Sequence, residues 1–197
     1  MQSMWKKEGR IEAFLEDPLA ALHDVIKLIR ETPIPFIAAV NGVCAGAGSN
    51  FALACDLVVA ADNAYFSSAY RNIALTPDGG GSWSLPRLVG VRRAMEIMLL
   101  AERFDVQQAM AWGLVNRVVP LAEIDAAVDQ LVTSLATGPV LAIRNTKRLV
   151  RESLARSLSE QLDAEAASFG ACAATPDFAE GITAFLEKRP AQFGRTE

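Results

Sequence analysis

The sequence predicts an α/β core followed by a helical C-terminal third. Two short, continuous apolar runs carry the first half of that expectation: Pro35-Phe36-Ile37-Ala38-Ala39-Val40 and Leu57-Val58-Val59-Ala60-Ala61. Runs this short and this apolar suit strands buried on both faces, as in parallel sheets. A small-residue turn and a short helical stretch lie between them. Strand, turn, helix, strand is the order of a parallel crossover. From Leu121 onward the pattern is helical almost to the end, which carries the second half.

Each element has its own local reason. Residues 17–31 read as a helix: Asp17 caps it, Pro18 suits its first turn, and Leu19, Leu22, Val25, Ile26 and Ile29 share a face. The run 35–40 is the first strand. Residues 41–48 read as a turn, and Ser49 to Cys55 as a short helix. Asp56 to Ala61 returns to a strand, and Ala64 to Ser67 is a further one. Asn72 to Gly81 carries Pro77, Asp78 and three glycines, so it reads as a loop. Ser82–Leu88 and Val91–Ala101 are helical, with Gly90 between them. Asp105 caps a helix over Val106–Trp112 that Gly113 ends. Val115 to Val119 is the last strand. Breaks in the helical third fall at Gly138-Pro139, near Gly170, and at Thr175-Pro176.

Composition removes several function classes. The 197 residues are 51% hydrophobic and 21% charged, with net charge −4, which suits a folded core and offers no basic stripe for nucleic acid. Cys44, Cys55 and Cys172 are odd in number and lack CxxC spacing, so free buried thiols in a cytoplasmic protein are expected. His23 is the sole histidine and reads as structural; a cluster of histidine metal ligands is excluded by count. No apolar run reaches the ~18 residues of a membrane span, and the N-terminus does not read as a signal peptide.

The stretch Gly42-Val43-Cys44-Ala45-Gly46-Ala47-Gly48 holds three glycines and two alanines in seven residues. Small side chains leave amide N–H groups uncovered, and the first N–H groups of a helix lack internal partners. With the positive end of the helix dipole, they favour a phosphate or an oxygen that gains negative charge during reaction. Tight strand–helix packing explains the small residues equally well. The stretch is neither a Walker A loop nor a GxGxxG fingerprint, and no GxSxG elbow is present.

Residues Ile37 to Asp56 resemble the signature of the enoyl-CoA hydratase/isomerase (crotonase) superfamily. The likeness continues through Pro77-Asp78-Gly79-Gly80, Leu85-Pro86-Arg87-Leu88-Val89-Gly90 and Ala111-Trp112-Gly113-Leu114-Val115. It closes at Glu180-Gly181-Ile182-Thr183-Ala184-Phe185-Leu186-Glu187-Lys188-Arg189. The resemblance implies a crotonase-like spiral of βαβ units with a helical C-terminal region, assembled as a homotrimer or hexamer. Residues 1–120 are then a truncated α/β core and 121–197 a helical trimerisation region. It implies an acyl-CoA thioester as partner, with no metal and no separate cofactor, since coenzyme A is part of the substrate. The family stabilises an enolate-like intermediate with two backbone amides. Ala47 occupies the place of one, flanked by Gly46 and Gly48 in the substrate-binding turn. The family's first strands and its other amide are expected ahead of this sequence.

Hydratases of this family use two glutamates, which correspond here to Asn50 and Tyr70, both expected among the substrate-binding residues. Neither is an acid: an amide does not remove a proton from water, and tyrosine is a poor base at neutral pH. Asp78 is the remaining candidate. A Pro-Asp-Gly turn and a helix cap are its plain structural readings. The Pro-Asp-Gly-Gly form resembles a branch that includes ring-epoxide and double-bond isomerases of phenylacetate-type catabolism. In that branch an aspartate takes and returns a proton near the thioester, so Asp78 is expected as general acid/base.

A second branch, the 4-chlorobenzoyl-CoA dehalogenases, also places an aspartate here, with an aromatic residue eight positions earlier, where Tyr70 stands. Those enzymes use Trp at that position and a histidine from the N-terminal region that has no counterpart here. The remaining expectations are enoyl-CoA hydration and silent binding of CoA esters. Phe185 and Lys188 resemble positions that meet the CoA nucleotide, often from a neighbouring subunit; a solvated terminal helix is their plain reading. Trp83 and Trp112 are expected to pack, and Arg92 and Arg93 to cover a helix face.

Overall fold

The computed structural model describes residues 11–194. The first helix, α1 (Ile11–Glu31), starts earlier than the sequence suggests and carries Pro18 inside it. Asp17 is therefore not its cap. Proline removes one i→i−4 bond, but burial of an apolar face sustains a helix across such a gap. Ile26 and Ile29 are buried and Leu22 packs beside them, against Ala54 and Phe51. Leu19 and Val25, expected in the same core face, are 38% and 42% exposed.

Strand β1 (Ile37–Val40) leads to a turn at Asn41-Gly42, where Gly42 has φ 93°, open mainly to glycine. The next three residues correct the expectation of a continuous turn over 41–48. Val43–Ala45 form strand β2, pairing in parallel with β4 (Tyr65–Ser67) in the register Val43↔Tyr65, Cys44↔Phe66, Ala45↔Ser67. Three residues between glycines are too few to show a period in sequence. Helix α2 (Ala47–Ala54) follows, two residues ahead of its predicted start. Strand β3 (Leu57–Ala61) returns beside β1, with Ile37 opposite Leu57. Val59, Ala60 and Ala61 are fully buried, as expected of a strand covered on both faces.

A 3₁₀ turn at Tyr70–Ile73 and a loop lead to α3 (Gly81–Leu100), which is broken at Gly90 (φ 75°, ψ 159°) as the sequence predicts. Strand β5 (Phe104–Asp105) and helix α4 (Val106–Ala111) follow. Asp105 caps α4 in a reciprocal box with Gln108. Strand β6 (Arg117–Val119) completes a parallel sheet in the order β1-β3-β6, and a second sheet has the order β2-β4-β5. The main core joins both sheets to α2, α3 and α4, with Val40, Val58 and Ala60 of the first sheet in it and Phe66 stacked on Phe104 at 5.6 Å.

The helical third comprises α5 (Ile124–Ala136), α6 (Val140–Glu152), α7 (Leu158–Ala173) and α8 (Pro176–Glu187). The breaks at Gly138-Pro139 and Thr175-Pro176 are where the sequence places them. The expected break near Gly170 is absent; Gly170 lies inside α7, since a lone glycine costs a helix only ~1 kcal/mol. A break falls instead at Ser153–Arg156, and a capping box of Ser157 and Glu160 restarts the helix. Helix α5 lays Ile124 and Ala127 on Val59 and Ala61 of β3. Among the described residues, no single helix is long and apolar enough to cross a membrane.

A buried ion cluster fastens α6 to the strands. Lys147 Nζ lies 2.8 Å from Asp56 Oδ2 and donates to the carbonyls of Ile29 (2.9 Å) and Ile34 (2.7 Å). Arg151 Nη2 donates to Asp56 Oδ1 at 2.7 Å and to the Ala54 carbonyl at 2.8 Å. Asp56 Oδ2 also accepts from the Phe36 amide at 2.8 Å. Asp56 thereby fixes the start of both strands that carry the glycine turn between them.

Candidate active site

The glycine stretch delivers Ala47 to the start of α2. Gly46 bends the chain there with φ 55° and ψ −127°, and its amide donates to the Ser67 carbonyl at 3.1 Å. The Ala47 amide opens the helix, and no acceptor for it occurs among the described residues. Orphan first-turn amides are general to helices, but this one borders a cleft.

That cleft has a volume of about 920 Å³. Ala47 and Phe51 of α2 stand on one side; Leu75 to Asp78, Gly80 and Ser82 on another; and Pro18, Leu19, Leu22, His23 and Val25 of α1 close it. The exposed Leu19 and Val25 are thus cleft-lining residues, which explains their departure from the core. His23, expected to be structural, also reaches the cleft wall. The lining is mostly apolar, with a carboxylate and a free amide placed in it, a form typical of small-molecule sites.

Asp78 is held from behind. Tyr70 donates its hydroxyl proton to Asp78 Oδ1. Asn50 Nδ2 donates to Tyr70 Oη at 2.8 Å and to the Asp78 main-chain carbonyl at 2.8 Å. Asn50 and Tyr70, expected to contact substrate, are 5% and 7% exposed and stand behind Asp78 instead of lining the cleft. Burial pushes the Tyr70 hydroxyl well above the ordinary tyrosine value, and the bonded Asp78 carboxylate pushes it the same way. Tyr70 therefore keeps its proton at neutral pH and donates it to Asp78 while accepting from Asn50.

Space for Asn50 comes from two glycines. A Cβ at Gly81 would lie 2.4 Å from Asn50 Oδ1, and one at Gly79 would lie 3.2 Å from Asn50 Cβ. The glycines after Asp78, read from sequence only as loop formers, leave room for the amide that orders the site.

The other expected site residues lie elsewhere. Gly46 and Gly48 flank Ala47 without lining the cleft. Phe185 is 80% exposed on α8, and Lys188, also exposed, ends that helix in a left-handed conformation. Within one chain neither reaches the cleft. Trp83 is 44% exposed and stacks between the guanidinium groups of Arg30 (4.3 Å) and Arg87 (4.0 Å). Trp112 packs on Phe104 at 4.9 Å, with Arg93 over its ring. Among the described residues no cluster of three or more His, Cys, Asp or Glu is arranged to hold a metal ion.

Fold and cleft together define the class: an α/β chain that presents a helix-terminal amide and a carboxylate across an apolar cleft. A family profile described as enoyl-CoA hydratase/isomerase matches residues 4–196. The chain is 42% identical over 169 residues to a probable enoyl-CoA hydratase of Rhodobacter capsulatus, covering 86% of this chain and 66% of that protein. It is 38% identical to the 1,2-epoxyphenylacetyl-CoA isomerase of Escherichia coli K12, covering 86% of this chain and 64% of that one. Identity to 4-chlorobenzoyl coenzyme A dehalogenase-1 of Arthrobacter sp. is 34%, covering 84% of this chain and 60% of the dehalogenase. An enoyl-CoA hydratase crystal structure from Polaromonas sp. JS666 superimposes with TM-score 0.91 at 37% identity, covering 98% of this chain and 74% of that one. The chain belongs to the enoyl-CoA hydratase/isomerase family and has its crotonase fold. It spans just under two thirds of the length of these curated relatives.

Proposed function

We propose that this chain carries the acid/base half of an acyl-CoA double-bond isomerase. The Asp78 carboxylate, set in the wall of an apolar cleft beside the Ala47 amide, is the observation that carries this reading. The amide accepts the growing charge of the thioester oxygen; one such donor is worth ~2.7–4 kcal/mol of barrier. Asp78 removes a proton from a carbon near the thioester, the C–H electron pair moves into the enolate, and the same proton returns at another carbon. One base and an oxyanion donor suffice for that shift.

Hydration is the second reading, supported by the 42%-identical relative, a probable enoyl-CoA hydratase. It asks for a pair of groups to activate water, and Asn50 and Tyr70 are an amide and a phenol tied to each other. Comparing isomerisation of 3-hexenoyl-CoA with hydration of crotonyl-CoA, in the parent and in Asp78→Asn, tests the choice. Isomerisation that Asp78→Asn abolishes supports the proposal; hydration alone replaces it. Chloride release from 4-chlorobenzoyl-CoA without isomerisation would favour dehalogenation, and binding of CoA esters without turnover a silent subunit.

The helical region 121–197 is proposed to assemble the chain into trimers or hexamers. It exposes Leu158 (76%), Phe169 (73%), Phe185 (80%) and Leu186 (73%), large apolar side chains that association would cover. Sedimentation equilibrium returning the monomer mass refutes this assignment.

A further inference from the structure

We infer that Asn50 and Tyr70 are positioning residues forming a directed hydrogen-bond chain that gives the two oxygens of Asp78 different tasks, Oδ1 fixed as an acceptor and Oδ2 carrying the proton. The inference rests on the proposed role of Asp78 and specifies how that role is executed.

The direction follows from donor and acceptor chemistry. The Asp78 main-chain carbonyl only accepts, so the Asn50 atom 2.8 Å from it is the amide nitrogen. The same nitrogen lies 2.8 Å from Tyr70 Oη and donates its second proton there. With that lone pair engaged, the Tyr70 hydroxyl points its own proton at Asp78 Oδ1. Oδ1 is then an acceptor whether or not Asp78 is ionised. Oδ2 has no partner among the described residues, and the residue lines the cleft. A proton taken from substrate goes to Oδ2: the C–H bond breaks, an O–H bond forms at Oδ2, and the electron pair stays in the enolate. The return step reverses both at the second carbon.

Asn50 and Tyr70 are buried. The Asn50 side chain is boxed by Gly79 and Gly81: a Cβ at Gly81 would strike it at 2.4 Å and one at Gly79 would crowd it at 3.2 Å. The titratable groups around Asp78 are Tyr70 behind it and His23 across the cleft on α1. Arg71, next to Tyr70 in sequence, turns away and donates to the carbonyls of Leu99 and Leu100. No cation pairs with the Asp78 carboxylate among the described residues; a tyrosine holds it.

Two readouts test the chain independently of each other. By proton NMR, the hydroxyl proton that Tyr70 donates to Asp78 should give a downfield signal protected from solvent exchange. Tyr70→Phe should abolish it, Asp78→Asn should move it upfield, and Asn50→Ala should weaken it. In 3-hexenoyl-CoA isomerisation, Tyr70→Phe should lower kcat about tenfold with little change in KM. Simple structural damage would raise KM along with the fall in kcat and would lower thermal stability. If Asp78→Asn leaves isomerisation intact, the proposed function itself fails. If Asp78→Asn abolishes turnover while Tyr70→Phe leaves kcat and the downfield signal unchanged, the function stands and the positioning chain is overturned. In a preparation that turns over no substrate, a missing downfield signal, or one indifferent to Asp78→Asn, overturns it as well.

Discussion

Replacing Gly81 with alanine isolates the packing that orders this site. Gly81 is the first residue of α3 and its φ is not in the left-handed region, so alanine meets no backbone strain there. On propensity alone the change should help the helix by up to ~1 kcal/mol. The contacts reverse that sign. An added Cβ would lie 2.4 Å from Asn50 Oδ1, 2.9 Å from Cγ and 3.0 Å from Nδ2, so the whole amide must move. It cannot retreat in place, because Tyr70 Oη and the Asp78 carbonyl hold Nδ2 and the space over Gly79 is filled. Overpacking costs ~1–3 kcal/mol, and two buried hydrogen bonds add ~1 kcal/mol each. Set against the propensity gain, the net loss is ~2–4 kcal/mol. Urea unfolding of the parent, Gly81→Ala, Asn50→Ala and the double variant measures it. Without the Asn50 amide the alanine has nothing to strike, so the double variant should match Asn50→Ala, a coupling equal to the Gly81→Ala loss of ~2–4 kcal/mol. A Gly81→Ala protein as stable as the parent, or a cycle that adds up, would refute the reasoning.

Ala47→Pro removes the cleft-facing amide at a helix position that suits proline, after a Gly46 whose ψ of −127° avoids the ring. Turnover should fall ~10²–10³-fold with thermal stability nearly unchanged; equal losses in both would show a folding defect instead. Asp56→Ala strands Lys147, whose side chain is 6% exposed, and should cost ~3–5 kcal/mol in chemical denaturation; a loss under ~1 kcal/mol contradicts the buried-cluster account. Burial pushes the Cys44 thiol from 9.0 up to about 11, so the native state keeps that proton longer than the unfolded chain does. The stability this gives is complete below pH 9 and fades as pH rises toward 11; Cys44→Ala should flatten the decline in an alkaline unfolding series, and an unchanged slope would discount the thiol. Asn50→Glu should yield no hydration of crotonyl-CoA in a spectrophotometric assay; measurable hydration would show that position 50 alone decides the reaction.

The parts of the fold legible in the sequence are those with a local signal. The apolar runs of β1 and β3, the Asp105 cap, the helix break at Gly90 and the Thr175-Pro176 junction all rest on a few adjacent residues. Strand β2 was hidden because its three residues take their identity from β4, twenty-two positions away. The start of α1 was misplaced because Pro18 reads as a boundary, while the packing of Ile26 and Ile29 that supports the helix is tertiary. The break before α7 had a visible sign, the Ser157–Glu160 capping box, in a stretch that otherwise reads as helix. That Asp78 and Ala47 line one cleft was legible through the turn and the family likeness. The hydrogen bonds joining Asn50, Tyr70 and Asp78 were not, since they span twenty and eight residues and depend on three segments converging.

Those bonds also bear on why reactions within this family should not interchange by single substitutions. The resemblance assigns a glutamate of the hydratases to position 50, and here the position is filled by a donor. Both groups facing Nδ2, the Asp78 carbonyl and the Tyr70 oxygen, are acceptors in the present arrangement. A carboxylate there would lose both bonds, face a carbonyl at close range and add a like charge near Asp78. Tyr70 could answer only by turning its proton toward the new carboxylate, which takes it from Oδ1. A longer side chain would also press on the Gly79–Gly81 backbone that already touches Asn50. An acid at position 50 therefore requires the Tyr70 contact and the Asp78 loop to be rebuilt with it. On this reading the reaction is set by the direction of donation through Asn50, Tyr70 and Asp78 as a unit, and the fold tolerates a different unit only when all three change together.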